Sequence, residues 1–335
     1  MRLQLGVAAA AALLAAGCAT GPAPAPPDVS RIDGPPAVAA GPGEVVGADA
    51  LVHLEALQGI ADRNGGNRAA PGPGYEASVD YVAGVLRTAG WQVTTPTYQA
   101  GDGVSVRQVV AQTGHGSSGS VVMAGAHLDS VSDGPGITDD GSGVAALLAI
   151  AEHLGANPAV PNTIRFAFFG SEEDDLQGSR SYVAGLSEPD RAAILVYLNL
   201  DMISSSNAGY FVQGGADGDT EESGPPGSVT VGRILVDQLA RTGVAAELIS
   251  FTGDDDAAFV EADIPAGGLV NGDEDKKSRQ QAMAWGGQAG IAFDRCHHAA
   301  CDRLDRVNQV ALDRFTRATA GAVAQFAVMN ARPTD

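Results

Sequence analysis

Basic residues are scarce in this chain: 20 Lys and Arg stand against 40 Asp and Glu in 335 residues, a formal charge of −20. Nucleic acid and an anionic membrane surface both demand a basic face, so neither is expected as a partner. Long apolar runs are also nearly missing. The only one is residues 5–16, too short to span a bilayer. Cysteine is rarer still, with Cys18, Cys296 and Cys301 alone. An odd number in an exported protein needs one cysteine set apart, and Cys18 belongs to a targeting segment, which leaves one possible pair. Aromatic residues make up only 5%, yet the apolar total of 44% is enough for a sizeable core.

The leader is the first thing present. Arg2 is its only charge, and the apolar run ends in Leu14-Ala15-Ala16-Gly17-Cys18, which resembles a bacterial lipobox. Residues 1–18 are read as a lipoprotein-type signal peptide with Cys18 as the lipidated residue; the alternative is an ordinary signal peptide cleaved nearby. Ala19 is not the Asp of inner-membrane retention, so an outer-membrane or cell-envelope lipoprotein is expected, otherwise a periplasmic or secreted protein. Residues 19–44 follow as a linker: seven prolines fall within residues 21–43, and such a stretch is extended and semi-rigid. The folded domain is expected over residues 45–331.

The pattern in that domain is α/β. Helices are expected from Asp49 to about Ile60, over 75–89, 144–154 and 229–242, and from 308 to 329. Strands are expected over 91–98, 104–112, 120–126, 163–169, 193–200, 247–251 and 266–270, with Tyr210-Phe211-Val212 as an edge strand. Asp254-Asp255-Asp256 reads as an acidic loop and residues 272–285 as loop. Three of the apolar strands end in chemistry: residues 120–126 in His127, residues 163–169 in Gly170-Ser171-Glu172-Glu173, and residues 193–200 in Asp201. Open α/β sheets place ligands beyond the carboxyl ends of their strands. An unpaired buried carboxylate there costs stability, so the repetition asks for a partner.

His127, Asp139, Glu173, Asp201 and His298 together are two imidazoles and three carboxylates, spread over 171 residues. Nitrogen and oxygen donors suit zinc, with other divalent transition ions possible. Five donors are too many for one open tetrahedral centre and suit two ions sharing a carboxylate. Glu172, beside a donor but pointing elsewhere, is the candidate general base. Taken one by one, each residue has an ordinary alternative: a core histidine, helix caps at Asp139 and Asp140, a solvated acid, a surface histidine.

Further stretches carry a resemblance. Asn64-Gly65-Gly66-Asn67-Arg68, Gly125-Ala126-His127-Leu128-Asp129-Ser130, Asp139-Asp140-Gly141-Ser142-Gly143, Glu172-Glu173, Asn199-Leu200-Asp201-Met202-Ile203 and Phe293-Asp294-Arg295-Cys296 through His298 to Cys301-Asp302 are similar to the M28 peptidase family, the secreted zinc aminopeptidases of Streptomyces and Vibrio type. The resemblance covers residues 49–329. It implies a single domain with a central mixed, mostly parallel β-sheet flanked by helices, the zinc-dependent exopeptidase fold. It implies two zinc ions, His127 and Asp201 binding one, Glu173 and His298 the other, Asp139 bridging. Glu172 is then the base that takes a proton from metal-bound water and passes it to the leaving amine. Asp129 orients the histidine ligand, the Asp139–Asp140 peptide is cis, and Cys296 pairs with Cys301. Peptides with a free N-terminus are the implied substrates, and a monomer is expected.

The chain departs from the family at two places. His297 stands where the compared member has a tyrosine that steadies the tetrahedral intermediate, so His297 is the expected oxyanion donor, with weaker or more pH-sensitive catalysis; the alternative is a register in which His297 is the ligand, which the spacing to Cys301 disfavours against His298. Around Gly253-Asp254-Asp255-Asp256-Ala257, two residues are missing, among them a substrate-contacting arginine, and Ala257 replaces a histidine. A family calcium site is also incomplete: Asp313 fits one ligand position, while Arg317 stands where another acid would be, which leaves calcium in doubt. The competing readings are another amide hydrolase of the same fold, carboxypeptidase-like, and a metal-free binding module on a dead peptidase fold.

Overall fold

The computed structural model describes residues 44–101, 103–114, 116, 119–215 and 224–335. The leader, Cys18 and nearly all of the linker lie outside the described residues. Two helices come first, α1 (Gly47–Arg63) and α2 (Pro73–Thr88). Their buried stripes, Leu54, Leu57 and Ile60 on one and Val79, Val82 and Leu86 on the other, are apolar at helical spacing. Asp49 serves α1 from inside its first turn, where its carboxylate accepts from the Val46 N–H at 3.0 Å.

The two expected strands over 91–98 and 104–112 are each broken in two: β1 (Gln92–Thr94) and β2 (Thr97–Gln99), then β3 (Ser105–Arg107) and β4 (Val109–Gln112). Pro96, which has no N–H for a ladder, sits between β1 and β2. β2 and β3 pair as a separate ribbon. The centre is β5 (Val121–His127), buried along its whole length. The chain continues through α3 (Gly141–Leu154), β6 (Thr163–Phe169), α4 (Gln177–Ala184), α5 (Glu188–Ala193) and β7 (Ile194–Asp201). It ends with β8 (Phe211–Gln213), α6 (Ser228–Arg241), β9 (Glu247–Ile249), α7 (Asp256–Val260), β10 (Ala266–Val270), α8 (Arg279–Trp285) and α9 (Gln309–Phe326).

Eight strands form one sheet in the order β1-β4-β6-β5-β7-β10-β8-β9. β6, β5, β7 and β10 are mutually parallel neighbours, so their carboxyl ends open on the same side. β1–β4, β4–β6 and β10–β8 are antiparallel, which makes the sheet mixed and mostly parallel. Strand alternation splits β5 between two cores. Val122, Ala124 and Ala126 face a large cluster with α1, α2, α3, α6 and α9, while Val121 and Met123 face a smaller one with Phe169, Tyr197 and Phe259.

Three local expectations are corrected. The segment at 210–212 is not an edge: β8 lies between β10 and β9, all three of its residues are buried, and β9 takes the edge. The acidic stretch is only partly loop, because Asp256 opens α7. Residues 272–285 contain α8, started by a capping box in which Ser278 and Gln281 exchange hydrogen bonds. That helix has no apolar periodicity to announce it, since Trp285 is its one buried residue.

Candidate metal centre

His127 is the last residue of β5 and Asp201 the last of β7, and Glu172 and Glu173 follow the end of β6 by three and four residues. The backbone turns abruptly after two of these ends and in the loop that carries His298. Ser171 (φ 52°), Met202 (φ 47°) and His298 (φ 54°) all take the left-handed conformation that non-glycine residues rarely adopt. The fourth contribution comes from the entry to α3. The Asp139–Asp140 peptide is cis. The two carboxylates part company there: Asp140 caps α3 by accepting from the Gly143 N–H at 2.9 Å and also accepts from Met202 N at 3.2 Å, whereas Asp139 turns toward His127.

Asp139 stands in the middle. Its Oδ1 lies 3.0 Å from His127 Nε2, and its Oδ2 lies 3.2 Å from His298 Nε2. His127 Nε2 is also 3.7 Å from Asp201 Oδ1 and 3.9 Å from Glu172 Oε2. His298 Nε2 is 2.9 Å from Glu173 Oε2. The five donors singled out in the sequence therefore gather around Asp139; donor atoms lie within 4.8 Å of one another in the triads His127, Asp139, Glu173 and His127, Asp140, Asp201. His297 joins them, with Nε2 3.5 Å from Asp139 Oδ2. Asp129 sits 3.6 Å from His127 Nδ1, and the same oxygen accepts from the Glu172 N–H at 3.2 Å. It thus touches both the histidine and the backbone of the neighbouring strand end.

Buried polar side chains hold the loops. Arg68 is fully buried, and its guanidinium donates to the carbonyls of Leu128, Pro135 and Gly136, both ends of the loop between His127 and Asp139. From the other side Asp302 accepts from Thr138 N at 2.8 Å and Asp139 N at 3.1 Å. Asp302 directly follows Cys301, which is joined to Cys296, so the segment bearing His298 and the one bearing Asp139 share an anchor. Arg68 and Asp302 stood in the sequence only as parts of motifs. Their roles depend on carbonyls and N–H groups far along the chain, which no local pattern reveals.

The electrostatics of the cluster call for cations. Burial pushes the Glu172 carboxyl up to about 10 and Asp201 up to about 7, and burial with the nearby Asp201 raises Asp140 well above the carboxylate range. Burial opposes a charge on His127, yet Glu172, Asp129, Asp139 and Asp201 around it raise its proton affinity well above the usual imidazole value. Hydrogen bonds to Asp139 and Glu173 take His298 up to about 10. Packed acids and imidazoles of this kind must otherwise share protons. His127 Nδ1, Asp140 Oδ2 and Glu173 Oε1 are buried without a hydrogen-bond partner. The spacings also fit. Two donors on one tetrahedral zinc lie roughly 3.3 Å apart; the gaps of 3.0 and 3.7 Å at His127 bracket that value, and those of 2.9 and 3.2 Å at His298 fall just below it.

The centre opens into a cavity of about 530 Å³, whose walls include Met202, Phe211, Ile249 and Phe293 and whose polar lining includes Asp254. Oxygens of Glu172, Asp201 and Asp254 lie within 4.8 Å of one another. Contacts from β8 and its own loop, Gln213 Nε2 at 2.8 Å and Thr252 Oγ1 at 2.9 Å, bring Asp254 here. At the suspected calcium position, Asp313 accepts from the Gly47 N–H at 3.0 Å and Arg317 pairs with Glu44 at 3.0 Å.

A sequence model described as peptidase family M28 matches residues 108–323, most of the domain just described. The chain belongs to peptidase family M28. Its M28 relatives include leupeptin-inactivating enzyme 1 of Streptomyces exfoliatus, 41% identical over 93% of this chain and 65% of that protein. Another is the probable lipoprotein aminopeptidase LpqL of Mycobacterium tuberculosis, 43% identical over 73% of this chain and 52% of that one. The chain thus spans between half and two thirds of these relatives. Among solved structures, the zinc aminopeptidase BSAP of Bacillus subtilis superposes with a TM-score of 0.67 at 16% identity, over 87% of this chain and 98% of that one. A glutaminyl cyclase of Porphyromonas gingivalis gives 0.66 at 18% identity, over 84% and 99%. These structural likenesses show the fold alone, and a fold does not set an activity.

Proposed function

We propose that this chain is an exported metallo-aminopeptidase that removes N-terminal residues from peptides and works with two zinc ions. The observation that carries the reading is the division of Asp139, one carboxylate oxygen facing His127 and the other His298. His127 and Asp201 would hold one ion, Glu173 and His298 the other, and Asp139 both. Bound zinc supplies Lewis-acid polarisation of the scissile carbonyl and acidifies water. The remaining work falls to the chain. Glu172, 3.9 Å from His127 Nε2 and bordering the cavity, is left free of both ions in this assignment. It is assigned to take the proton of the attacking water and deliver it to the departing amine. Burial favours its protonated form, which suits the second half of that task, and nearby cations favour the ionised form that suits the first. The oxygens of Glu172, Asp201 and Asp254 give an α-ammonium a negative seat beside the reacting bond. The apolar walls of the cavity keep the first side chain out of water.

The lipobox-like run ending at Cys18 supports export and a lipid anchor, and the name of the LpqL relative agrees with it. A panel of aminoacyl anilides, free and N-acetylated, tests the activity. Free substrates should be cleaved, acetylated ones should resist, and a chelator should abolish turnover until zinc is restored. Equal cleavage of acetylated substrates would sink the aminopeptidase reading in favour of another amide hydrolase.

A further inference from the structure

The second donor group holds one imidazole more than the reading above uses. His297 and His298 are neighbours in sequence, and adjacent side chains on extended backbone point apart. Here the left-handed φ of 54° at His298 folds the chain so that both rings lie on one side, their centroids 3.8 Å apart and 34° from parallel. Both Nε2 atoms then converge on the same oxygen, Asp139 Oδ2, at 3.5 Å and 3.2 Å. The donor atoms of Asp139, His297 and His298 all lie within 4.8 Å of one another. On the far side of the His297 ring, Nδ1 lies 3.7 Å from Glu274 Oε1 and makes no hydrogen bond.

We propose that His297 is a fourth protein donor to the ion held by Asp139, Glu173 and His298, in place of the oxyanion role expected for it. The inference rests on the two-zinc reading. Three of the six donor gaps in this group, His298 to Glu173 at 2.9 Å, His298 to Asp139 at 3.2 Å and His297 to Asp139 at 3.5 Å, sit around the roughly 3.3 Å edge of a zinc tetrahedron. The two ions are consequently unequal. The ion on the His298 side has four protein donors, two of them imidazoles, and the ion on the His127 side has three, one of them an imidazole. Imidazole binds zinc well, so the His298-side ion is the tighter of the two despite its more exposed position.

Zinc titration of the full chain in competition with a chromophoric chelator tests this, together with the visible spectrum of the cobalt-substituted protein. Wild type should bind two zinc ions with distinct affinities. His297→Gln and His297→Tyr should still take two at saturation, with the tighter one weakened about 100-fold or more, beyond the 10–100-fold of an outer partner. The cobalt spectrum should change with it. Two variants guard against one that folds poorly. Zinc affinities within twofold of wild type and an unchanged cobalt spectrum would overturn the proposal, even if turnover fell, because that pattern belongs to a hydrogen-bond donor to substrate. A wild-type chain that binds fewer than two ions would overturn this inference and the two-zinc reading together.

Discussion

The two halves of the candidate centre are built on different principles. The His127 half sits at the carboxyl ends of adjacent parallel strands, and the His127 side chain is only 2% exposed. Its supports are a fully buried arginine and the sheet itself. The His298 half hangs on a loop after a polar helix, and the His298 side chain is 46% exposed. Its supports are a short cystine and the single carboxylate of Asp302. The contrast teaches that burial and donor number supply rigidity by separate routes. The buried half relies on the surrounding core, and the open half on covalent closure and on crowding of donors.

Loss of the element common to both halves should have the largest effect. Asp139→Ala should leave fewer than one zinc per chain by atomic absorption. Turnover should fall about 10³-fold or more, because the bound ions supply several kcal/mol of charge stabilisation. If one ion remained at full occupancy, the carboxylate would not be shared and the comparison would fail. Glu172→Gln comes next and belongs to neither half. It should keep both ions and lower kcat by about 10²–10⁴-fold with little change in KM, the range for a lost general acid–base. A variant that lost zinc as well would make Glu172 a ligand.

The smallest effect sharpens the contrast by touching one half alone. Cys296→Ser with Cys301→Ser opens a loop of a few residues, worth about 2 kcal/mol in the chain-entropy picture. Melting of the metal-free protein should shift accordingly. The His298-side ion should then bind more weakly, with the His127-side ion unchanged. Equal weakening of both ions would show that the cystine supports the whole centre.

The legibility of the two halves differs in the same way. His127 and Asp201 stood out because apolar runs of strand length lead directly into them, and Asp139–Asp140 because a glycine-rich helix start follows. The sequence alone also made plain the α/β alternation and the central parallel strands. These follow from hydrophobic periodicity and chain stiffness, which act over a few residues at a time.

Only the tertiary structure decided the rest. It placed β8 inside the sheet, since strand order depends on which edges meet and not on the strand's own residues. It folded the acid of Asp254 toward Glu172, and it aimed Arg68 at carbonyls some 60 positions away along the chain. It turned His297 beside His298, a matter of one backbone angle. Local pattern determines what a segment can form. Its partners are set by long-range burial and by the demand that each buried polar group find a counterpart, and those are properties of the whole chain.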